Sequence, residues 1–358
     1  MGKQKTIVTE NEEARIKRIQ NDEAIELKKI LFFHENEEVR KSAMKMMNEK
    51  YVVICIGGKT TIYHKDRKDN NMMSVRDARD FFANQTYTVK RVVDDKDIIE
   101  ERQVFDDWFT DPETERYESL TFDPEAPYGA LGKEWNTWRG WAYEPADGDC
   151  SLYLEHVIEN ICNGDKNLSE YIFDFMAQII QQPKEKISHA VSVKGDKGTG
   201  KTVFAKTFLK LFGDAGVEIT DSEILTNQFN GILANRLFVF GDEAFWSGDR
   251  KNRGKLKTII SSNDMRITYK MKDTITMPNY LHFIFCTNED WAAPVENGER
   301  RWVTLRCGNG RINDRDFFGR MKEQMENGGY EALMKFLVER DISKRDWSHV
   351  PITEASKE

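Results

Sequence analysis

Gly195-Asp196-Lys197-Gly198-Thr199-Gly200-Lys201-Thr202 reads G-x-x-x-x-G-K-T, a spacing suited to holding the phosphates of a nucleoside triphosphate. Gly195, Gly198 and Gly200 let the backbone curl so that successive N–H groups turn toward phosphate oxygens. Lys201 then reaches the β- and γ-phosphates, and the Thr202 hydroxyl faces Mg²⁺. Two later stretches supply the remaining chemistry. Asp242 and Glu243 close an apolar run from Leu237: Asp242 is suited to the Mg²⁺ shell and Glu243 to polarising an attacking water. Asn288 closes a second apolar run from Leu281. It is suited to sensing the γ-phosphate or orienting the water, although Asn is also a common turn residue after a strand. Arg300 and Arg301 offer planar, always-charged donors for a transferring phosphoryl group, either one as a finger reaching a neighbouring subunit's site and the other as an ion-pair partner.

The elements that must carry these groups are legible on either side. Ile187 to Val193 alternates like a strand entering the loop, and Val203 to Phe212 has helical spacing leaving it, so a helix dipole adds to the phosphate site. The runs 237–243 and 281–288 read as buried parallel strands whose C-terminal ends open on a ligand crevice; Val303 to Leu305 is a further strand. The segment 250–272 holds Arg250, Lys251, Arg253, Lys255, Lys257, Arg266, Lys270 and Lys272 against one acid, Asp264. In a chain of formal net charge −8, that concentration argues against a broad cationic face for nucleic acid and for a confined contact such as a pore.

The 358 residues, 39% hydrophobic and 32% charged, suffice for two or three domains. No apolar run approaches the roughly eighteen residues of a membrane span, so no membrane contact and a cytoplasmic setting are expected. Cys55, Cys150, Cys162, Cys286 and Cys307 are scattered and, with His156, form no familiar metal-ligand or disulfide spacing. Residues 1–50 read as charged helices. A hairpin turns at Gly57-Gly58, a helix from Ser74 to Phe82 carries a capping box with Asp77, a strand spans Val89 to Val93, and 98–117 has a helical pattern. Trp135, Trp138 and Trp141 fit either a stacking platform for single strands or, preferably, anchors for a loop-rich linker. Amphipathic helices at 152–161 and 168–180 follow, and two more near 317–326 and 330–339 form a lid or interface.

This order and compact spacing resembles the superfamily 3 helicases, the ring-forming AAA+ motors of small DNA viruses, phages and plasmids. Within them the likeness is to the poxvirus-type and phage or plasmid primase–helicases, which have a Trp-rich lead-in such as 136–141 and a helical collar such as 150–183 before the motor. The resemblance implies an α/β fold with an AAA+ P-loop core, four segments (1–120, 121–183, 184–312 and 313–358), and ATP with Mg²⁺ as cofactors. It further implies a hexameric ring moving 3′ to 5′ on single-stranded or forked DNA, with primase, polymerase or an origin-binding protein as partners. A pore hairpin within 265–273 would grip DNA, with Lys270 the best match, Lys272 next, and Arg266 beside them; alternating cations in a short strand agree. Asp94-Asp95 and Asp106-Asp107 lack the context of a primase cluster, so priming is expected from elsewhere or from a longer protein. The rival from another class is a nucleotide-dependent assembly, loader or defence switch without processive unwinding.

Overall fold

The computed structural model describes residues 37–67, 71–93, 96–221, 230–243, 250–268, 274–288 and 301–356. Two compact units emerge: Met1–Thr121 with Gly129–Trp135, and Phe122–Tyr128 with Asn136–Glu358.

In the first unit, α1 (Glu37–Lys50) leads into β1 (Tyr51–Ile56) and β2 (Lys59–His64), paired antiparallel around Gly57-Gly58. Both glycines have positive φ, as a two-residue hairpin turn demands. β3 (Met72–Ser74) extends one edge, and Ser74 caps α2 (Val75–Phe81) by accepting from the Asp77 amide. β4 (Thr86–Val93) then pairs antiparallel with β5 (Lys96–Gln103) from Val93↔Lys96 to Thr86↔Gln103. The helical pattern expected over 98–117 is therefore corrected. Only α3 (Val104–Thr110) is helical; β-branched Ile98 and Ile99 continue a strand whose partner lies next to it in sequence. β6 (Arg116–Tyr117) runs parallel to β1, and β7 (Ser119–Thr121), β8 (Gly129–Leu131) and β9 (Glu134–Asn136) form a small sheet. Trp108, Phe105, Phe82 and Tyr51 fill the core.

The second unit is a mixed α/β structure built on a parallel sheet. After α4 (Ser151–Glu155), continued by a π-helical turn (His156–Ile161), and α5 (Lys166–Gln181) come β10 (Ala190–Lys194) and α6 (Lys201–Leu209). Next are β11 (Gly216–Ile219), β12 (Phe238–Asp242), α7 (Arg250–Ser261), the antiparallel pair β13 (Asp264–Ile267) and β14 (Ile275–Pro278), β15 (His282–Thr287) and β16 (Trp302–Arg306). The sheet order is β11-β12-β15-β10-β16, and every pair is parallel. All five residues of β10 and all six of β15 are buried; β15 accordingly reads as an apolar run, whereas β10, although buried on both faces, keeps the alternation of Ser192 between Val191 and Val193. Val191, Val193, Phe238, Phe240, Ile284 and Val303 face one cluster with the helices; Ala190, Val239, Phe283, Phe285 and Trp302 face the other. α8 (Arg315–Gln324) and α9 (Tyr330–Val338) complete the helices over the first face. No helix among the described residues is long and apolar enough to cross a membrane.

Trp135, Trp138 and Trp141 are packed side chains. In the second unit Trp138 meets Phe122 and Trp141 edge-on at 5.8 and 5.0 Å, and Trp141 meets Phe212 at 5.6 Å. In the first, Trp135 lies 5.2 Å from Tyr117. Trp135 and Trp138 are buried, so their rings are not open to nucleobases. Anchoring is the use the fold makes of them.

Candidate functional site

The loop after β10 turns through two glycines that no other residue could replace without strain. Gly198 and Gly200 sit at φ 87° and 93°. A Cβ on Gly198 would lie 2.5 Å from Asn313 Oδ1, and one on Gly200 would lie 2.4 Å from the Phe318 ring and 2.7 Å from His156 Cε1. Gly200 is the N-cap of α6, so the loop ends where helix N–H groups and dipole favour an anion. Lys201, the first residue of that helix, is buried. Its ammonium donates to Gly195 O at 2.7 Å, Asp196 O at 2.8 Å and Asn288 Oδ1 at 3.0 Å. A buried ammonium needs such acceptors to offset its lost hydration. They hold it on the side of the loop that faces the ends of β12 and β15.

Those two strands bring the acids and the amide. The Thr202 hydroxyl donates to Asp242 Oδ1 at 3.2 Å, joining the second residue of α6 to the end of β12. Glu243 follows in a left-handed conformation, φ 51°, costly for a side chain with a Cβ. Its amide donates to Cys286 O at 3.0 Å, while its carboxylate accepts from the Asn288 amide at 2.8 Å and the Thr287 hydroxyl at 3.3 Å. The neighbouring strand thus over-determines the carboxylate's position, the circumstance in which strained backbone persists at functional sites. Parallel pairing sets this up: Asp242 lies opposite Cys286, and Lys194 opposite Thr287. The ends of three strands are therefore level.

A cavity of about 790 Å³ opens over this cluster, lined by Lys201, Thr202, Asp242, Glu243 and Asn288. Its far wall comes from residues that spacing did not single out, among them Lys210, Asn313, Arg315, Phe318 and Tyr330. The segment after β16 also braces the loop: Asn309 Nδ2 donates to Asp196 Oδ2 at 2.9 Å, and the Asn313 amide to Gly198 O at 3.0 Å. From the other side, buried Asn160 and His156 contact the carbonyls of Thr199 and Gly200. Burial lowers the His156 pKa to about 4, against a raising hydrogen bond to Gly200 and with a further lowering by Arg311, so the ring is neutral at pH 7. A sequence signal for this pair existed: two polar residues spaced i, i+4 on the apolar face of the 152–161 helix.

Of the residues picked from sequence, Gly195 to Thr202, Asp242, Glu243 and Asn288 come together. Arg301 does not join them within the chain. It precedes Trp302, which pairs with Ala190 at the far end of β10, whereas the loop follows Lys194, opposite Arg306. Arg266 lies on β13 opposite Thr276, exposed on the hairpin. Arg300, Lys270 and Lys272 lie outside the described residues.

Comparison with known proteins places this geometry in a context. A family described as a family of unknown function (DUF5906) matches residues 193–301, the stretch from the end of β10 to Arg301. The DNA primase-polymerase of Nitratiruptor phage NrS-1 is 27% identical over 207 residues, 54% of this chain and 28% of that protein. The chain thus spans little more than a quarter of that relative's length. Solved structures of the NrS-1 C-terminal region share the fold. One apo structure has a TM-score of 0.65 at 20% identity, covering 90% of this chain and 74% of that one. Its A form has 0.67 at 19% identity, covering 88% and 73%.

Proposed function

We propose that the chain is an ATP-driven DNA helicase or translocase of phage, plasmid or viral replication, a superfamily 3 AAA+ motor working as a ring on single-stranded or forked DNA. One observation carries the reading. Lys201, Thr202, Asp242, Glu243 and Asn288, drawn from three separate stretches of sequence, line one cavity at the C-terminal ends of adjacent parallel strands. A crevice at that edge of an α/β sheet is where ligands bind. The phage relative's name, DNA primase-polymerase, supports an assignment to replication.

Each residue then has a task. Lys201 leaves its carbonyl acceptors for the β- and γ-phosphates, and Asn288, already bonded to it, registers the change. Glu243 accepts a proton from the water that attacks the γ-phosphorus, while the bond to the bridging oxygen breaks and ADP leaves. Thr202 and Asp242 present two hard oxygen donors side by side, a set that fits Mg²⁺, which binds through few protein oxygens and keeps waters and phosphates for its other positions. Mg²⁺ there would neutralise charge between the β- and γ-phosphates. Arg301, just before the start of β16, stands too far from its own chain's loop to serve it, so Arg301 or Arg300 would serve a neighbour's and couple hydrolysis to a ring. Arg266, exposed on β13, would grip DNA phosphates, joined by Lys270 and Lys272 from the sequence between β13 and β14.

Steady-state ATPase activity with and without single-stranded DNA tests this in wild type, Lys201→Ala and Lys270→Ala. The expected result is no turnover in Lys201→Ala, and basal turnover without DNA stimulation in Lys270→Ala. A wild type that DNA leaves unchanged would reject the translocase and leave the assembly or loader switch in its place.

A further inference from the structure

The loop is held from behind as well as lined from the front. The turn His156–Ile161 is π-helical, with the Cys162 amide reaching Val157 O at 2.9 Å, and such turns cluster at functional positions. It presents His156 and Asn160 together to the loop. Asn160 Nδ2 donates to Thr199 O at 2.6 Å and lies 3.4 Å from both His156 Nδ1 and Cys307 Sγ. His156 Nε2 lies 3.1 Å from Gly200 O. A carbonyl only accepts, so Nε2 carries the proton and Nδ1 is left to accept from Asn160. Both residues are buried, at 1% and 2% exposure, and buried polar side chains are retained only where their hydrogen bonds are made.

The peptide plane gives these bonds a consequence. In a trans peptide the C=O and the following N–H point in opposite directions, and the described residues contain no cis peptide. Fixing Thr199 O aims the Gly200 N–H the other way, and fixing Gly200 O does the same for the Lys201 N–H. Gly200 and Lys201 line the cavity.

We propose that Asn160 and His156 are positioning residues for the nucleotide: by holding the Thr199 and Gly200 carbonyls they pre-aim two backbone N–H groups at the phosphates before nucleotide arrives. This inference rests on the nucleotide reading of the cavity. It predicts an effect on affinity rather than on the chemical step, because a loop without its brace must be ordered at the moment of binding. The two act as one unit, since Asn160 also bonds the ring that holds Gly200 O.

Equilibrium binding of Mg·ATP and Mg·ADP, with kcat, KM and melting temperature alongside, tests it in Asn160→Leu, His156→Phe and His156→Gln. The first two keep bulk and lose the donor; Gln keeps a donor for Gly200 O. The expected result is Kd and KM raised about tenfold or more in Asn160→Leu and His156→Phe, equivalent to about 1.4 kcal/mol. kcat should stay within about threefold, the double variant should be less than additive, and His156→Gln should bind near the wild-type level. Lower melting temperatures with unchanged Kd would overturn the proposal, as would equal losses in His156→Gln and His156→Phe. Should Asn160→Leu not fold, the His156 pair decides alone. If wild type binds nucleotide and Lys201→Ala does not, failure of the brace variants refutes only this inference. A wild type that binds neither nucleotide refutes the site reading itself.

Discussion

Acid should unfold the second unit well before carboxylate protonation does. Three of its four described histidines are buried, and His349 is exposed: His156 and His189 have pKa values lowered to about 4 and His282 to about 3, with desolvation the first cause in each. Each buried ring also has a nitrogen in contact with a neighbouring donor. Asn160 Nδ2 faces His156 Nδ1, the Tyr171 hydroxyl lies 2.5 Å from His189 Nε2, and the Ile187 amide donates to His282 Nε2 at 3.2 Å. Above the ordinary value of 6.5 both folded and unfolded states are neutral, and stability is full. Below it the unfolded chain takes up protons that the folded rings refuse, so stability is lost until the folded pKa is reached. Between pH 7.5 and pH 5.0 a group moved from 6.5 to about 4 costs about 2 kcal/mol, and three such groups about 6 kcal/mol. That is comparable with the whole stability of a domain, about 5–15 kcal/mol. The lowered carboxylates, Asp123 and Asp314 among them, titrate below this window and neither add nor subtract within it. Lys186, lowered to about 7 by burial, acts in the same direction, mostly above it. Urea unfolding followed by circular dichroism and tryptophan fluorescence at pH 7.5, 6.0 and 5.0 measures the loss. Replacing His156 by Phe should remove about a third of it. A decline below about 2 kcal/mol over this range, or one that His156→Phe leaves whole, refutes the reasoning.

Two glycines should respond in opposite senses to the same substitution. Gly200→Ala meets the Phe318 ring and a positive φ, and should cost about 2–5 kcal/mol in unfolding experiments. Gly254→Ala, on α7 with nothing within 4 Å of its new Cβ, should instead stabilise by about 1 kcal/mol, read as a higher melting temperature. Trp138→Ala removes a packed ring and should cost about 3–5 kcal/mol in the second unit. It should leave single-stranded DNA affinity, measured by fluorescence anisotropy under conditions where the variant is folded, unchanged, because the wild-type ring is not open to a base.

The central sheet was legible because parallel strands covered on both faces tend to be apolar throughout, and the runs ending at Asp242 and Asn288 have that form, while the alternation from Ile187 to Val193 marked the strand before the loop. Their chemistry was legible for the same reason, since a polar residue at the end of such a run stands out. The 98–117 segment misled because its charged residues match a helix at least as well as a strand. What decided was pairing with β4, a tertiary contact with no trace in the helical period. Of the brace residues, His156 was weighed only as a metal ligand and Asn160 passed unnoticed, for a subtler reason. On an amphipathic helix a polar residue among Tyr153, Val157 and Ile161 reads as an interruption of the apolar face. Here it is instead the contact that a buried loop carbonyl requires, and a π turn, which sequence period does not reveal, brings both side chains to it.

Arg301 shows the converse, a residue whose type was legible and whose place was not. It precedes β16, and the five paired positions from Ala190↔Trp302 to Lys194↔Arg306 separate its level from the loop's. At about 3.3 Å per residue that is roughly 16 Å or more along the strand, beyond the reach of one arginine side chain. A spacing of about a hundred residues in sequence carries no information about which end of a sheet a residue occupies. Strand direction does, because in a parallel sheet every strand's start lies on the side away from the loops that follow its end. Arg301 and the glycine loop consequently lie at opposite edges of the sheet, and the proposed use of both in one site therefore calls for a second copy of the chain.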